Sequence, residues 1–174
     1  MFWFNFLAKL ISILHSGDDP RQIASGFALG SIIGLTPFLS LHNLVVFGLI
    51  FLLNVSISAA FFGIFVFSAF AFLLDPQFHS LGYFLLVKLD ALKPFWTFLY
   101  NIPIAPLTKF YNTVVLGSLV TSLITFWPVY FGFTKAVKLY RIHLAEKAER
   151  LKVMKIIKGS NLYQNYLKIK SMGA

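Results

Sequence analysis

The sequence predicts an all-α integral membrane protein: a small helical bundle with a Pro-broken or re-entrant helical hairpin and a cytoplasmic, amphipathic C-terminal helix. Three observations predict it. The chain is 58% apolar and only 12% charged, where a soluble domain carries about 25% charged residues. Residues 22–74 hold no Asp, Glu, Lys or Arg, a run of 53, and residues 110–134 hold none in a run of 25. The first run is more than twice the ~30 Å hydrocarbon core when helical. The net charge of +9 is concentrated at the C-terminal end. From Lys135 onward ten Lys and Arg face only Glu146 and Glu149.

This composition excludes a soluble globular enzyme, a disordered tail and a disulfide scaffold, since the chain has no Cys. The basic tail follows an apolar segment directly, which points to the anionic cytoplasmic leaflet and not to nucleic acid. The bilayer's phospholipid is therefore the first partner expected, in the bacterial inner membrane, with several passes and a cytoplasmic C-terminus. The N-terminus has no basic start and no small-residue cleavage pattern, so it does not read as a signal peptide. Three regions follow: an interfacial amphipathic helix over 1–15, carrying Phe2, Phe6, Lys9, Leu10 and Ile13; a membrane domain over 16–134; and a basic helix and tail over 135–174.

Asp19-Pro20-Arg21-Gln22 reads as a helix start, with Asp19 as N-cap, Pro20 at N1 and Gln22 reaching back. The helix runs to about Leu35. Gly26, Gly30 and Gly34 fall on one face, where the missing Cβ admits a second helix. Thr36-Pro37 ends it. Ser40, His42 and Asn43 precede a second apolar arm, Leu44 to Leu53. Neither arm comfortably spans a bilayer, so the pair reads as a re-entrant hairpin. One tilted span from Pro20 to Leu41 followed by a short helix is the competing arrangement.

Asn54 to Leu74 is long enough to cross, and Ala59, Ala60 and Gly63 offer it a small face. Asp75-Pro76 repeats the Asp-Pro device and predicts a new helix, Pro76 to Leu92, hence a second helix–Pro-turn–helix unit. Pro94, Pro103 and Pro106 predict an irregular apolar stretch to Thr108. A long helix from Lys109 carries Thr113, Gly117, Thr121 and Thr125 at four-residue spacing, a weakly polar packing stripe. Pro128 permits a kink. Val137, Tyr140, Leu144, Ala148, Leu151 and Met154 then mark an amphipathic helix, which Gly159 ends.

No catalytic set can be assembled from His15, His42, His79 and His143, and no three residues have metal-ligand spacing. Asp75 and His79, four apart, read as a local cap pair. No cofactor, metal or enzymatic activity is expected. One candidate site remains. The turn over 36–43 opens a half-helix whose first N–H groups lack partners and attract anions. Thr36, Ser40, His42 and Asn43, with Arg21 as the nearest cation, are candidates for a lipid headgroup or another anion. Gly26, Gly30, Gly34, Thr113, Gly117 and Thr121 are candidates for helix packing or a partner interface.

The run Ile23-Ala24-Ser25-Gly26-Phe27-Ala28-Leu29-Gly30, continued to Thr36-Pro37, resembles a bacterial membrane family known as a numbered domain of unknown function. Asn54 lies seventeen residues past Pro37, as that family's pattern requires. Asp75-Pro76 stands where the family has Asn-Pro. The likeness covers roughly residues 15–135. It is similar to a short branch paired with a large envelope protein that bridges inner and outer membranes. The resemblance implies a non-enzymatic inner-membrane subunit that anchors such a bridge or loads it with lipid. A stand-alone small transporter or lipid flippase is the alternative.

Overall fold

The computed structural model describes residues 9–143. The chain forms two units, Asp18–Thr134 and a smaller one that joins Met1–Gly17 to the segment from Lys135. The described residues are helical: α1 over 9–14, α2 Pro20–Leu35, α3 Leu41–Leu52, α4 Ile57–Tyr83, α5 Lys93–Tyr100 and α6 Thr113–His143.

In the larger unit, α2 starts as its residues dictate. The Asp19 carboxylate accepts from the Arg21 N–H at 2.7 Å, and the Gln22 amide oxygen accepts from the Asp19 N–H at 3.2 Å. From Ile23 to Leu35 all but one residue is buried, because α2 lies along α4. Gly26 meets Ser56 and Ala60, Gly30 meets Ala60 and Ile64, and Gly34 meets Ile64 and Ser68, so the two helices run parallel. Gly63 of α4 returns the contact against the Phe27 carbonyl. A methyl at any of these glycines would strike backbone or Cβ atoms, so only glycine lets the axes come this close.

At Thr36 the backbone leaves the helical region, and α3 turns back along α2. The return is closed at its far end by the Ser56 N–H, which donates to the Gln22 carbonyl at 3.1 Å. The geometry is therefore a helical hairpin; a single tilted helix through Leu41 does not form, because Pro37 and the bonds of the turn break it. The hairpin is short. Gly34, near its tip, faces Ser68, the twelfth of the 32 residues of continuous helix from Ile57 to Lys88. About 30 Å of that helix extends past the tip.

The second expected Pro-turn does not form. α4 runs straight through Pro76 and continues as a π-helical turn, Phe84–Lys88. Neighbouring polar side chains bond backbone carbonyls on either side of the proline. With its amide placed so that both atoms find partners, Gln77 donates to the Leu73 and Leu74 carbonyls at 3.2 and 3.1 Å. Ser80 Oγ donates to the Pro76 carbonyl at 2.9 Å.

The Pro-rich connection is more ordered than expected. Pro94 sits in the first turn of α5, where its missing N–H costs nothing, and α5 ends before Pro103. A 3-10 turn, Ala105–Thr108, follows. Lys109 then adopts a left-handed conformation at φ 57°, so α6 does not begin there. It begins at Thr113, where Asn112 Oδ1 accepts from the Val114 and Val115 N–H groups at 2.9 and 3.2 Å.

α6 packs antiparallel on α4. Thr113 meets Gly82 and Gly117 meets Phe78. Further along, Phe133 stacks on Phe27 with centroids 3.9 Å apart, and Phe27 also touches Phe62 and Phe67. The helices from Ile57 to Lys88 and from Thr113 to Ile142 are both long and apolar enough to cross a membrane.

In the smaller unit, the end of α1 is tied to the end of α6. Arg141 donates from Nε to the Leu14 carbonyl at 3.2 Å and from Nη2 to the Ser16 carbonyl at 2.8 Å. It thereby satisfies carbonyls that a helix C-terminus leaves without partners. His15 Nδ1 lies 3.1 Å from the Tyr140 hydroxyl. The expected amphipathic helix beyond His143 and the first half of the N-terminal one lie outside the described residues.

Candidate functional site: the hairpin turn

Four of the five candidate ligand residues come together at the hairpin tip. Thr36 is buried, and its hydroxyl lies 2.8 Å from both the Ile32 carbonyl and Asn43 Oδ1. Asn43, only 1% exposed, spans the turn and donates from Nδ2 to the carbonyls of Pro37 at 3.0 Å and Phe38 at 3.3 Å. Ser40 Oγ donates to the Pro37 carbonyl at 2.7 Å and lies 2.9 Å from His42 Nε2. The other ring nitrogen of His42, Nδ1, is enclosed without a hydrogen-bond partner.

Arg21 does not join them. It lies in the first turn of α2 and Thr36 follows the last, which separates their backbones by about 22 Å. The separation follows from α2 being unbroken.

The turn's side-chain donors are directed inward at its own carbonyls. Outside, the tip is apolar: Phe38 is 64% exposed and Leu39 84%. Side chains of the turn's own residues thus bond the Pro37 and Phe38 carbonyls, which have left the helical ladder.

Five of the six packing candidates divide between two contacts, both on α4. Gly26, Gly30 and Gly34 seat α2, while Thr113 and Gly117 seat the start of α6. Thr121 Oγ1 donates to the Gly117 carbonyl at 2.8 Å and Thr125 Oγ1 to the Thr121 carbonyl at 2.7 Å, so the threonine stripe bonds its own helix. His79 turns from Asp75 to α6, with Nδ1 2.7 Å from Thr113 Oγ1. Among the described residues no three His, Asp or Glu are placed to hold a metal ion.

Two features were not legible beforehand. One is Asn43 as the bridge of the turn. The other is an open cavity of about 370 Å³ where α4, α5 and α6 meet, lined by Trp96, Tyr100, Phe110 and Tyr111 among others. Trp96 was visible only as one aromatic in a Pro-rich stretch.

Residues 5–146 match a family described as "Uncharacterized protein conserved in bacteria (DUF2062)". The chain belongs to the DUF2062 family. It is also similar to an "Uncharacterized protein" of Treponema pallidum (strain Nichols), 28% identical over 156 residues that cover 90% of this chain and 96% of the relative. The DUF2062 match covers the hairpin, both long apolar helices and the cavity, and ends just past the described part of α6. No solved structure matches.

Proposed function

We propose that this DUF2062 protein is a non-enzymatic inner-membrane subunit of an envelope assembly that carries lipid between the inner and outer membranes. Its task is to anchor or load a large partner. The observation that carries the reading is the hairpin. Gly34, near its tip, is level with Ser68, Thr36 and Asn43 bond each other and the turn's carbonyls, and Phe38 and Leu39 are exposed. An element of that length and surface suits a re-entrant wedge in one leaflet, held against a crossing helix.

The manner of holding favours a docking element over a rocking gate. Gly26, Gly30 and Gly34 bring α2 into backbone contact with α4 along its length. A stand-alone transporter or flippase must let one bundle slide on another, and this seam has no slack for sliding. The resemblance of the run from Ile23 to Pro37 to the family, and of the chain to its envelope-paired short branch, supports a large envelope protein as the expected partner.

In this reading α4 and α6 are the two crossings. The bonds from Arg141 to Leu14 and Ser16 keep the ends of α1 and α6 on one side. The ten basic residues from Lys135 onward support the cytoplasm as that side.

The test is purification from native membranes in mild detergent, with protein and lipid identified in the eluate. Co-purification of a large envelope protein supports the proposal. Lipid movement by the isolated protein in vesicles, with no such partner, replaces it by the transporter reading. Because the chain has no Cys, single cysteines at Ser16, Ser80, Asn101 and Ser160 report sidedness with an impermeant reagent.

A further inference from the structure

The cavity between the end of α4, α5 and the start of α6 is built by a linked set of aromatic rings. Trp96 stacks on Phe110 at a centroid distance of 5.9 Å, Phe110 meets Tyr111 edge-on at 6.1 Å, and Tyr111 meets Tyr100 at 6.3 Å. Leu86 and Val87 close the other wall. They sit in the π-helical turn, whose Leu85 carbonyl accepts from Trp96 Nε1 at 2.9 Å. The indole therefore pins the wall, and the widened turn and the ring stack form one construction. At about 370 Å³ the cavity falls within the range of small-ligand pockets, roughly 300–1,000 Å³.

Two lysines adjoin its lining residues in the sequence. Lys88 follows the lining residue Val87, and Lys109 precedes the lining residue Phe110; both are exposed. Asp90, the acid on this connection, is already matched by Lys93 at 2.6 Å, which holds its carboxyl below the usual range. Asp75 lies eleven residues before Leu86 on the same helix, about 16 Å away. Two lysines with no carboxylate opposite, beside an apolar aromatic slot, complement a molecule with an anionic head and a hydrocarbon tail. Trp, Tyr and Lys gathered at the end of an apolar helix also mark the level at which lipid headgroups lie.

We infer that this cavity binds one anionic phospholipid, with an acyl chain against Trp96, Tyr100, Phe110 and Tyr111 and its phosphate at Lys88 and Lys109. The inference rests on the membrane reading above, but not on the partner or on lipid transport.

The test uses the full chain with Trp3→Phe and Trp127→Phe, which leaves Trp96 as the reporter. It is reconstituted in phosphatidylcholine vesicles holding a minor fraction of chain-brominated lipid. Brominated phosphatidylglycerol quenches Trp96 more than brominated phosphatidylcholine at the same fraction, with an apparent enrichment on the order of fivefold. Lys88→Gln with Lys109→Gln removes the preference, and Thr97→Phe, at the exposed mouth, lowers quenching by both lipids. Equal quenching by the two lipids overturns the inference, since the slot then holds only bulk lipid. Absence of quenching by either lipid in floated vesicles also overturns it, the slot being covered by protein. A chain that fails to float with the vesicles overturns the membrane reading and this inference together.

Discussion

Gly30 of α2 lies directly against the Ala60 carbonyl of α4, so close that a β-carbon at position 30 would stand in the oxygen's place. The collision is with backbone on both sides, and neither helix has a side chain that can swing away. Gly30→Ala is therefore expected to separate the helices and destabilise the protein by about 3 kcal/mol or more, at the upper end of overpacking costs. Thermal unfolding in detergent measures it. Gly48 has open space around it, so Gly48→Ala is the control, with no loss and a gain of up to about 1 kcal/mol. Equal effects at the two sites would contradict the packing.

The Thr36–Asn43 bond closes the hairpin. Asn43→Ala removes the side-chain donor to the Phe38 carbonyl and leaves the Pro37 carbonyl with Ser40 Oγ alone, and is expected to cost about 1–3 kcal/mol. Thr36→Val keeps the shape and loses the hydroxyl. A double-mutant cycle between the two should give a coupling of at least about 0.5 kcal/mol. Strict additivity would show that the two side chains do not act together.

Pro76 lies inside a continuous helix. Pro76→Ala restores a donor for the Phe72 carbonyl and removes a ring clash. It should leave helix content unchanged or slightly higher by circular dichroism and raise stability, by at most about 3 kcal/mol. Were Pro76 the start of a separate helix, the same change would be neutral or costly.

Asn112 caps α6. Asn112→Ala should cost about 1 kcal/mol, and Asn112→Asp should retain most of the stability. Hydrogen exchange at the Val114 and Val115 amides, the two groups that the cap accepts from, should quicken in the first variant only.

Local chemistry made part of this structure readable in advance. Asp19, Pro20 and Gln22 act within one turn, so the start of α2 follows from four consecutive residues. The small faces of Gly26, Gly30 and Gly34, and of Ala59, Ala60 and Gly63, were equally plain, because a missing side chain has one main use between helices in lipid. The same Asp-Pro pattern at 75–76 misled. A cap pattern states that a helix is able to start, and the residues before it, from Ile57 onward, were already helical, with Gln77 and Ser80 bonding the carbonyls of Leu73, Leu74 and Pro76 nearby.

The sequence by itself determined an apolar, helical architecture with its cations gathered at one end, because continuous apolar runs without two-residue alternation bond their own backbone as helices. Which surfaces meet was decided only in three dimensions. The pairing of both small-residue stripes with α4, the distance that keeps Arg21 from the hairpin turn, and the aromatic slot around Trp96 all depend on residues far apart in sequence. A backbone-to-backbone contact leaves no periodicity in either partner that names the other, so the choice among equally apolar faces rests with the packed structure.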